Sequence, residues 1–380
     1  MLMNISRAKR LMADNSLDAL FFRNAENVTY ASDFHNAGSV MPSRPFGVLF
    51  FHDPSMSPCL IVPSVDYRLA KSMTWISDVR AYVRAEKASD RDSSFYPDFF
   101  TALLAALSER QAKGISIGYE ETLLPAPFFE QLRSKLPGHT WVPASELIAQ
   151  IRAVKTTEEI ANLKRAAEIT VKAHNSFRQT ISVGATEKDL VMAAQFTMLR
   201  EGADRIGFIY VGSNKTRGFA HNPFPSNTPL KFGDFVKVDM GAVCRGYTAD
   251  FVRSYVLGTA TTRQKEVYKA LEEGSMTTGM YLKPGRSCID VYNMSFKLMT
   301  DRLPGYAREF VGHGIGLGAH EEPRLHEGNP MILEPGMVIC IEASFYVDGA
   351  RFHFEDTFVI EESGPVCWTT ELDRTLEVEV

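Results

Sequence analysis

FVKVDMGAVCRGYTADFVRSY, residues Phe235 to Tyr255, reads as a β-hairpin with a problem built into it. Asp239 and Asp250 each sit inside an apolar, β-prone run, a costly place for a carboxylate. The stretch from Gly241 to Gly246 is turn-like. A turn centred on Cys244–Arg245 sets Asp239 opposite Asp250. Directly opposed residues of an antiparallel pair share a face, with Cβ atoms about 5 Å apart. Like charges there repel, and burial raises the cost. A shared proton, a basic partner or a cation must compensate.

A second stretch repeats the problem. VICIEASFYVDGARFHFEDTFVI carries Glu342 and Glu355 around Asp348-Gly349. An Asp-Gly pair favours a type I′ turn, because both central residues need positive φ. A turn centred there sets Glu342 opposite Glu355. Two hairpins that each offer a carboxylate pair, with a histidine added, make a hard ligand set suited to two divalent cations.

With 380 residues, the chain is long enough for two domains at about 150 residues each. Hydrophobic residues make up 45%, enough for a large core. A net charge of −5 argues against nucleic acid or an anionic membrane as partner. No apolar run approaches the roughly 18 residues of a membrane-spanning helix, and the N-terminal stretch lacks a signal-peptide apolar core. The cysteines, five in number, form no CxxC pair, which points to free thiols and a cytoplasmic setting.

Residues 1–150 alternate helix and strand, the pattern of a small α/β domain on a mixed sheet. Strands are expected at Ala19–Phe22, Phe46–Phe51, Cys59–Val62 and Ile115–Tyr119. Residues 151–380 form a second domain. Thr156-Thr157-Glu158-Glu159 opens a long helix to about Thr180, and Thr186 opens another to about Arg200. A strand from Arg205 to Val211 leads to the first hairpin. Helices at Thr261–Leu282 and Cys288–Leu303 precede the second. This order suggests an α+β domain of two similar halves around a curved antiparallel sheet.

Between the second helix pair and the second hairpin lies VGHGIGLGAHEEPRLHEG, Val311 to Gly328, with His313 and His320. Its glycines permit close packing of the backbone. Histidines seven apart would lie on opposite faces of a flat strand, so the chain must bend between them. His221 falls in the loop GFAHNPFPSNTPLKFGD ahead of the first hairpin. Asp234, Asp348 and Asp356 read as loop, turn and flanking charge. Glu321, Glu322 and His326 read as a charged loop. Lys237 and Arg253 flank the carboxylates, so an ion-paired cluster is the bland alternative.

VDMG and TADFVRS, then GHGIGLGAHEEP, GMVICIEASFY and FEDTFVI, come in the order found in one family. The chain resembles the M24 "pita-bread" metallopeptidases, specifically the prolidase and aminopeptidase P branch, with its creatinase-like N-terminal domain over residues 1–150. The resemblance implies two divalent ions (Mn, Co, Zn or Fe) held by Asp239, Asp250, His313, Glu342 and Glu355. It implies hydrolysis of small Xaa-Pro peptides by a hydroxide between the ions. Glu342 would then move the proton, and His221 and His320 would steady the substrate. It also implies a homodimer. Two departures lie against the site. The family's Glu-Pro-Gly is Glu342-Ala343-Ser344, and the arginine of its RIED motif is His353. The same scaffold serves creatinase, ectoine hydrolase and a lyase on a sulfonium acid, so a non-peptide C–N hydrolase or lyase is the alternative.

Overall fold

The computed structural model describes residues 1–35, 44–83, 95–218 and 224–379, in two units, Met1–Arg152 and Ala153–Val380.

The first unit holds strands β1 (Ala19–Phe22), β2 (Gly47–Phe51), β3 (Cys59–Pro63), β4 (Asp78–Tyr82), β5 (Ser116–Tyr119) and β6 (Thr140–Pro143). Its helices are α1 (Ile5–Asp14), α2 (Ala25–Ser32), α3 (Tyr67–Met73), α4 (Phe99–Glu109), α5 (Ala126–Lys135) and α6 (Ser145–Ala153). The sheet order is β4-β3-β2-β1-β5-β6. Its mixture of parallel and antiparallel pairs is the expected mixed sheet. Strands β1, β2 and β3 are buried along their whole length, as apolar runs without alternation require.

The second unit contains helices α7 (Thr157–Thr180) and α8 (Glu187–Arg200), strand β7 (Arg205–Ser213), the short helix α9 (Asn214–Arg217), and strands β8 (Phe235–Cys244), β9 (Tyr247–Thr248) and β10 (Phe251–Leu257). Helices α10 (Thr262–Met280) and α11 (Cys288–Arg302) follow, then β11 (Gly312–Gly314), β12 (Glu321–Arg324), β13 (Val338–Val347), β14 (Ala350–Glu361), β15 (Gly364–Cys367) and β16 (Glu377–Val378). The main sheet runs β12-β11-β13-β14-β10-β8-β7, antiparallel at each of these steps.

Helix pair then hairpin occurs twice, and the likeness extends to local detail. Helices α7, α8, α10 and α11 all begin with a reciprocal capping box. Gly184 N–H donates to Leu230 O at 2.9 Å in one half, and Gly285 N–H to Leu333 O at 2.9 Å in the other.

The alternation of β8 sorts the sheet faces. Val236, Val238, Met240 and Ala242 pack into the core that includes Ala173, Phe177, Leu190 and Met198 of α7 and α8. Lys237, Asp239 and Gly241 therefore point to the opposite face. On β13, Ile339 and Ile341 join Val291 of α11 in another core, leaving Cys340, Glu342 and Ser344 on the acid-bearing face. Hydrophobic burial holds the helices to one face and so presents the carboxylates on the other.

The first hairpin corrects the expected register. Its turn is Arg245–Gly246, with φ of 47° and 83°, not Cys244–Arg245. Asp239 opposes Val252, and Asp250 lies diagonally, two residues along. Gly241 has its own reason to be glycine: a Cβ there would stand 1.8 Å from Ala249 O. Gly241→Ala should cost about 3 kcal/mol or more through this overlap. It should also weaken metal binding by shifting Asp250. Chemical denaturation and metal titration check both effects.

Candidate metal centre

Three cross-strand rows build the site. In the first, His313 opposes Cys340, which opposes Thr357. The second runs Glu342–Glu355–Val252–Asp239–Tyr210 across β13, β14, β10, β8 and β7. The third contains Ser344–His353 and Ser254–Lys237–Gly212, joined because His353 N–H donates to Ser254 Oγ at 2.9 Å. Glu342 and Glu355 oppose one another as the Asp348-Gly349 turn requires; φ is 51° and 81° at those two residues.

Asp239, Asp250, His313, Glu342 and Glu355 are all buried. Carboxylate oxygens of Asp239, Asp250 and Glu355 lie within 4.8 Å of one another. His313 Nδ1–H donates to Gly314 O at 3.0 Å, which turns Nε2 toward Glu355 Oε1 at 3.5 Å and Glu342 Oε1 at 3.9 Å. Burial, then the neighbouring charges, pushes Asp250 and Glu355 well above the ordinary carboxylate range. Asp250 Oδ1 and Glu355 Oε1 are buried and accept no hydrogen bond among the described residues. Clustered acids with bare oxygens and one imidazole fit hard divalent cations.

Glu342 differs from its neighbours. Burial opposes its ionisation, but the hydrogen bond from His353 Nε2 at 3.0 Å and the charge of Arg308 hold its pKa below the usual value. Arg308 Nη2 also bonds Glu342 Oε2 directly. Arg308 Nη1 donates to Ser344 Oγ at 3.1 Å, and Arg351 Nε to the same oxygen at 3.0 Å.

His320 does join the site, by the bend expected between the histidines. Its ring stacks on His313 with centroids 3.7 Å apart, and Nε2 lies 4.0 Å from Asp250 Oδ2. Burial, then His313, lowers its pKa to about 4. His221 lies outside the described residues. The bland alternative fails in part. Arg253 points to the other face and pairs with Asp356, so it does not neutralise the cluster. Asp356 is correspondingly no flanking charge but fully buried. Glu321 is also tied down, by Lys155 at 3.5 Å and Gly318 N–H at 2.9 Å.

Arg308, Cys340 and the position of Lys237 are site features that the sequence-based expectation does not include. Period-two alternation from Asp239 and Glu342 could have placed Lys237 and Cys340 on the acid face. Nothing periodic marks Arg308, which reaches Glu342 from outside any strand.

Metallopeptidase family M24 matches residues 161–362, and the creatinase/prolidase N-terminal domain matches residues 4–154. The chain belongs to metallopeptidase family M24. As an M24 metallopeptidase it works with divalent metal ions. It is 27% identical to an Xaa-Pro dipeptidase of Pyrococcus horikoshii over 365 residues, 95% of each chain. The prolidase crystal structure from Pyrococcus horikoshii superposes with TM-score 0.79 at 26% identity, covering 98% of this chain and 99% of that one. An X-Pro aminopeptidase of Thermotoga maritima gives TM-score 0.81 at 25% identity, covering 99% of each. Against the M24 pattern, the two departures have visible partners: His353 bonds Glu342, and Ser344 bridges Arg308 and Arg351.

Proposed function

We propose that the protein hydrolyses the amide bond of small Xaa-Pro peptides, with Asp239, Asp250, His313, Glu342 and Glu355 holding two divalent cations. The observation that carries this reading is the gathering of four buried carboxylates and one imidazole on one face of the sheet. The names of its relatives support the substrate. When bound, the cations would supply a water acidic enough to react near neutral pH and would polarise a carbonyl.

The chain's own residues do the rest. Arg308 and His353 keep Glu342 ionised, the state in which a carboxylate can take a proton. His320, neutral at physiological pH and half-exposed, can donate one hydrogen bond to a substrate carbonyl as charge builds on its oxygen. His221 is assigned the matching role from the family pattern. Mn²⁺ is the first ion to supply, and the donor set also suits Co²⁺, Fe²⁺ or Zn²⁺. The five free cysteines support a reducing compartment such as the cytoplasm. The family resemblance supports a homodimer, which sedimentation would test.

A second reading, a non-peptide C–N hydrolase or lyase on the same fold, draws on His353 and Ser344 in place of the family's arginine and glycine. One experiment separates the two. After chelation and Mn²⁺ addition, Ala-Pro and Ala-Pro-Ala should be cleaved, and Ala-Ala at least about 100-fold more slowly, roughly 2.7 kcal/mol of discrimination. No turnover of any proline peptide by fully metallated protein would overturn the peptide reading in favour of the other.

A further inference from the structure

We propose that Lys237 is a specificity residue that holds a carboxylate of the substrate, one strand row beyond the metal ligands. The inference rests on the hydrolase reading for the position of the scissile bond. It starts from a lysine in an unusual place. Lys237 is fully buried near the start of β8, and its Nζ makes no hydrogen bond within the described residues. It shares a sheet face with Asp239, two residues along the same strand. A buried ammonium without a hydrogen-bond partner is expensive and calls for an explanation, of which a bound ion or ligand is one.

Asp239 and Glu342 attract the Lys237 charge, and Arg351 repels it. The third row and its border bring Lys237, Arg308 and Arg351 together around Ser344 and His353. Glu342 is the carboxylate paired with Arg308, and it also belongs to the acid cluster. The site is thus divided: an acidic row beside a cationic one. A peptide with a free C-terminus has the complementary polarity.

The distances agree. Residues two apart on a strand are separated by about 6.6–6.8 Å. One peptide residue spans at most about 3.3–3.6 Å. With the scissile carbonyl over the acidic row, the carboxylate of the next residue falls between the rows, within the sweep of a lysine side chain. A longer peptide would place an uncharged amide there.

The test compares Ala-Pro with its C-terminal amide, Ala-Pro-NH₂, in Mn²⁺-loaded wild type, Lys237→Met and Lys237→Arg. A second arm measures calorimetric binding of L-proline and L-prolinamide to the metal-free proteins. Wild type should favour the free acid by about 30-fold in kcat/KM, the range of one hydrogen bond to a charged group. Lys237→Met should raise KM for the acid by a similar factor with little change in kcat and leave the amide unaffected. Lys237→Arg should recover part of the preference. An acidic side chain as the true target would appear as a Lys237-dependent preference for Asp-Pro-NH₂ over Ala-Pro-NH₂, with no free-acid preference, and would overturn the C-terminal assignment. Equal losses on acid and amide would reduce Lys237 to a structural charge and sink the proposal. If wild type cleaves neither substrate, the peptide reading fails, and binding decides Lys237 separately. Proline held about 10-fold more tightly than prolinamide, with the difference lost in Lys237→Met, sustains it; equal binding refutes it.

Discussion

Glu355→Gln should bind Mn²⁺ at least about 100-fold more weakly than wild type and lose a comparable or larger factor in kcat/KM, since even partners of metal ligands cost 10- to 100-fold. Glu355 stands in the acid row between Glu342 and Val252, with Oε1 3.5 Å from His313 Nε2. Stability should move the other way. Burial, then the charges of Glu342 and Asp239, raises the Glu355 pKa in the folded chain. Above roughly pH 4.3 the unfolded chain has released a proton that the folded chain still holds. The folded state then binds more protons, so this group's contribution to stability falls as pH rises from there to the raised folded pKa. Glutamine carries no such proton. Metal-free Glu355→Gln should therefore gain stability relative to metal-free wild type as pH rises from about 4.3 toward the raised folded pKa. The buried histidines His174, His313 and His353 have lowered pKa values and act with opposite sign below about pH 6.5, but both proteins contain them, so they largely cancel in the difference. Adding Mn²⁺ should raise the melting temperature of wild type and barely move the variant's. Thermal melts across pH, with metal analysis, decide the matter. Undiminished metal affinity in the variant would show that Glu355 does not share a cation, and a pH-independent stability difference would show that its folded carboxyl holds no proton the unfolded chain has lost.

Most of this site could be read before any coordinates, because two-residue periodicity and turn chemistry are local. Asp348-Gly349 placed Glu342 against Glu355 correctly, since both residues take positive φ. The first hairpin went astray by one residue, because the glycine belongs at the second turn position, and Gly246 supplies it. Moving a turn centre by one residue shifts the pairing by two. Parity survives such a shift, so Asp239 and Asp250 still share a face although they no longer oppose one another. What local pattern cannot supply is contact across distant segments. Arg308 reaches Glu342 over 34 positions, and no spacing announces it. The strands β4 and β6 were missed for a related reason. DVRAY and TWVP lie at the two edges of the first sheet, and their exposed or half-exposed residues blur the apolar pattern. Helix α2, AENVTYAS, was hidden by its β-branched and polar residues and is held by its Asn24 cap and by tertiary burial.

Asp356→Asn should destabilise the protein by about 3–5 kcal/mol, the cost of leaving a buried charge without its partner. Asp356 and Arg253 are both fully buried on the helix-facing side of the sheet, back to back with the acid cluster. Asp356 also accepts from Thr369 Oγ1 at 2.6 Å and from Arg374 Nη2 at 3.0 Å. Arg253 in turn donates to the main-chain carbonyls of Val252 and Glu355, and its guanidinium stacks 4.0 Å from the Phe354 ring centroid. The pair thus pins β10 to β14 at the position where Val252 and Glu355 meet. The amide of asparagine keeps the shape and one acceptor but not the charge. The double variant Arg253→Met/Asp356→Asn removes the stranded cation and should recover most of the loss, a coupling of about 2–3 kcal/mol in a double-mutant cycle. The recovered fold should still bind metal less well, because the guanidinium bond to Glu355 O, one of the ties between that backbone and β10, is then gone. Urea denaturation of the metal-free proteins gives the first quantity, and Mn²⁺ titration gives the second. Additive losses would mean that Arg374 alone holds Asp356, while full metal affinity in the double variant would free the centre from any dependence on the ion pair behind it.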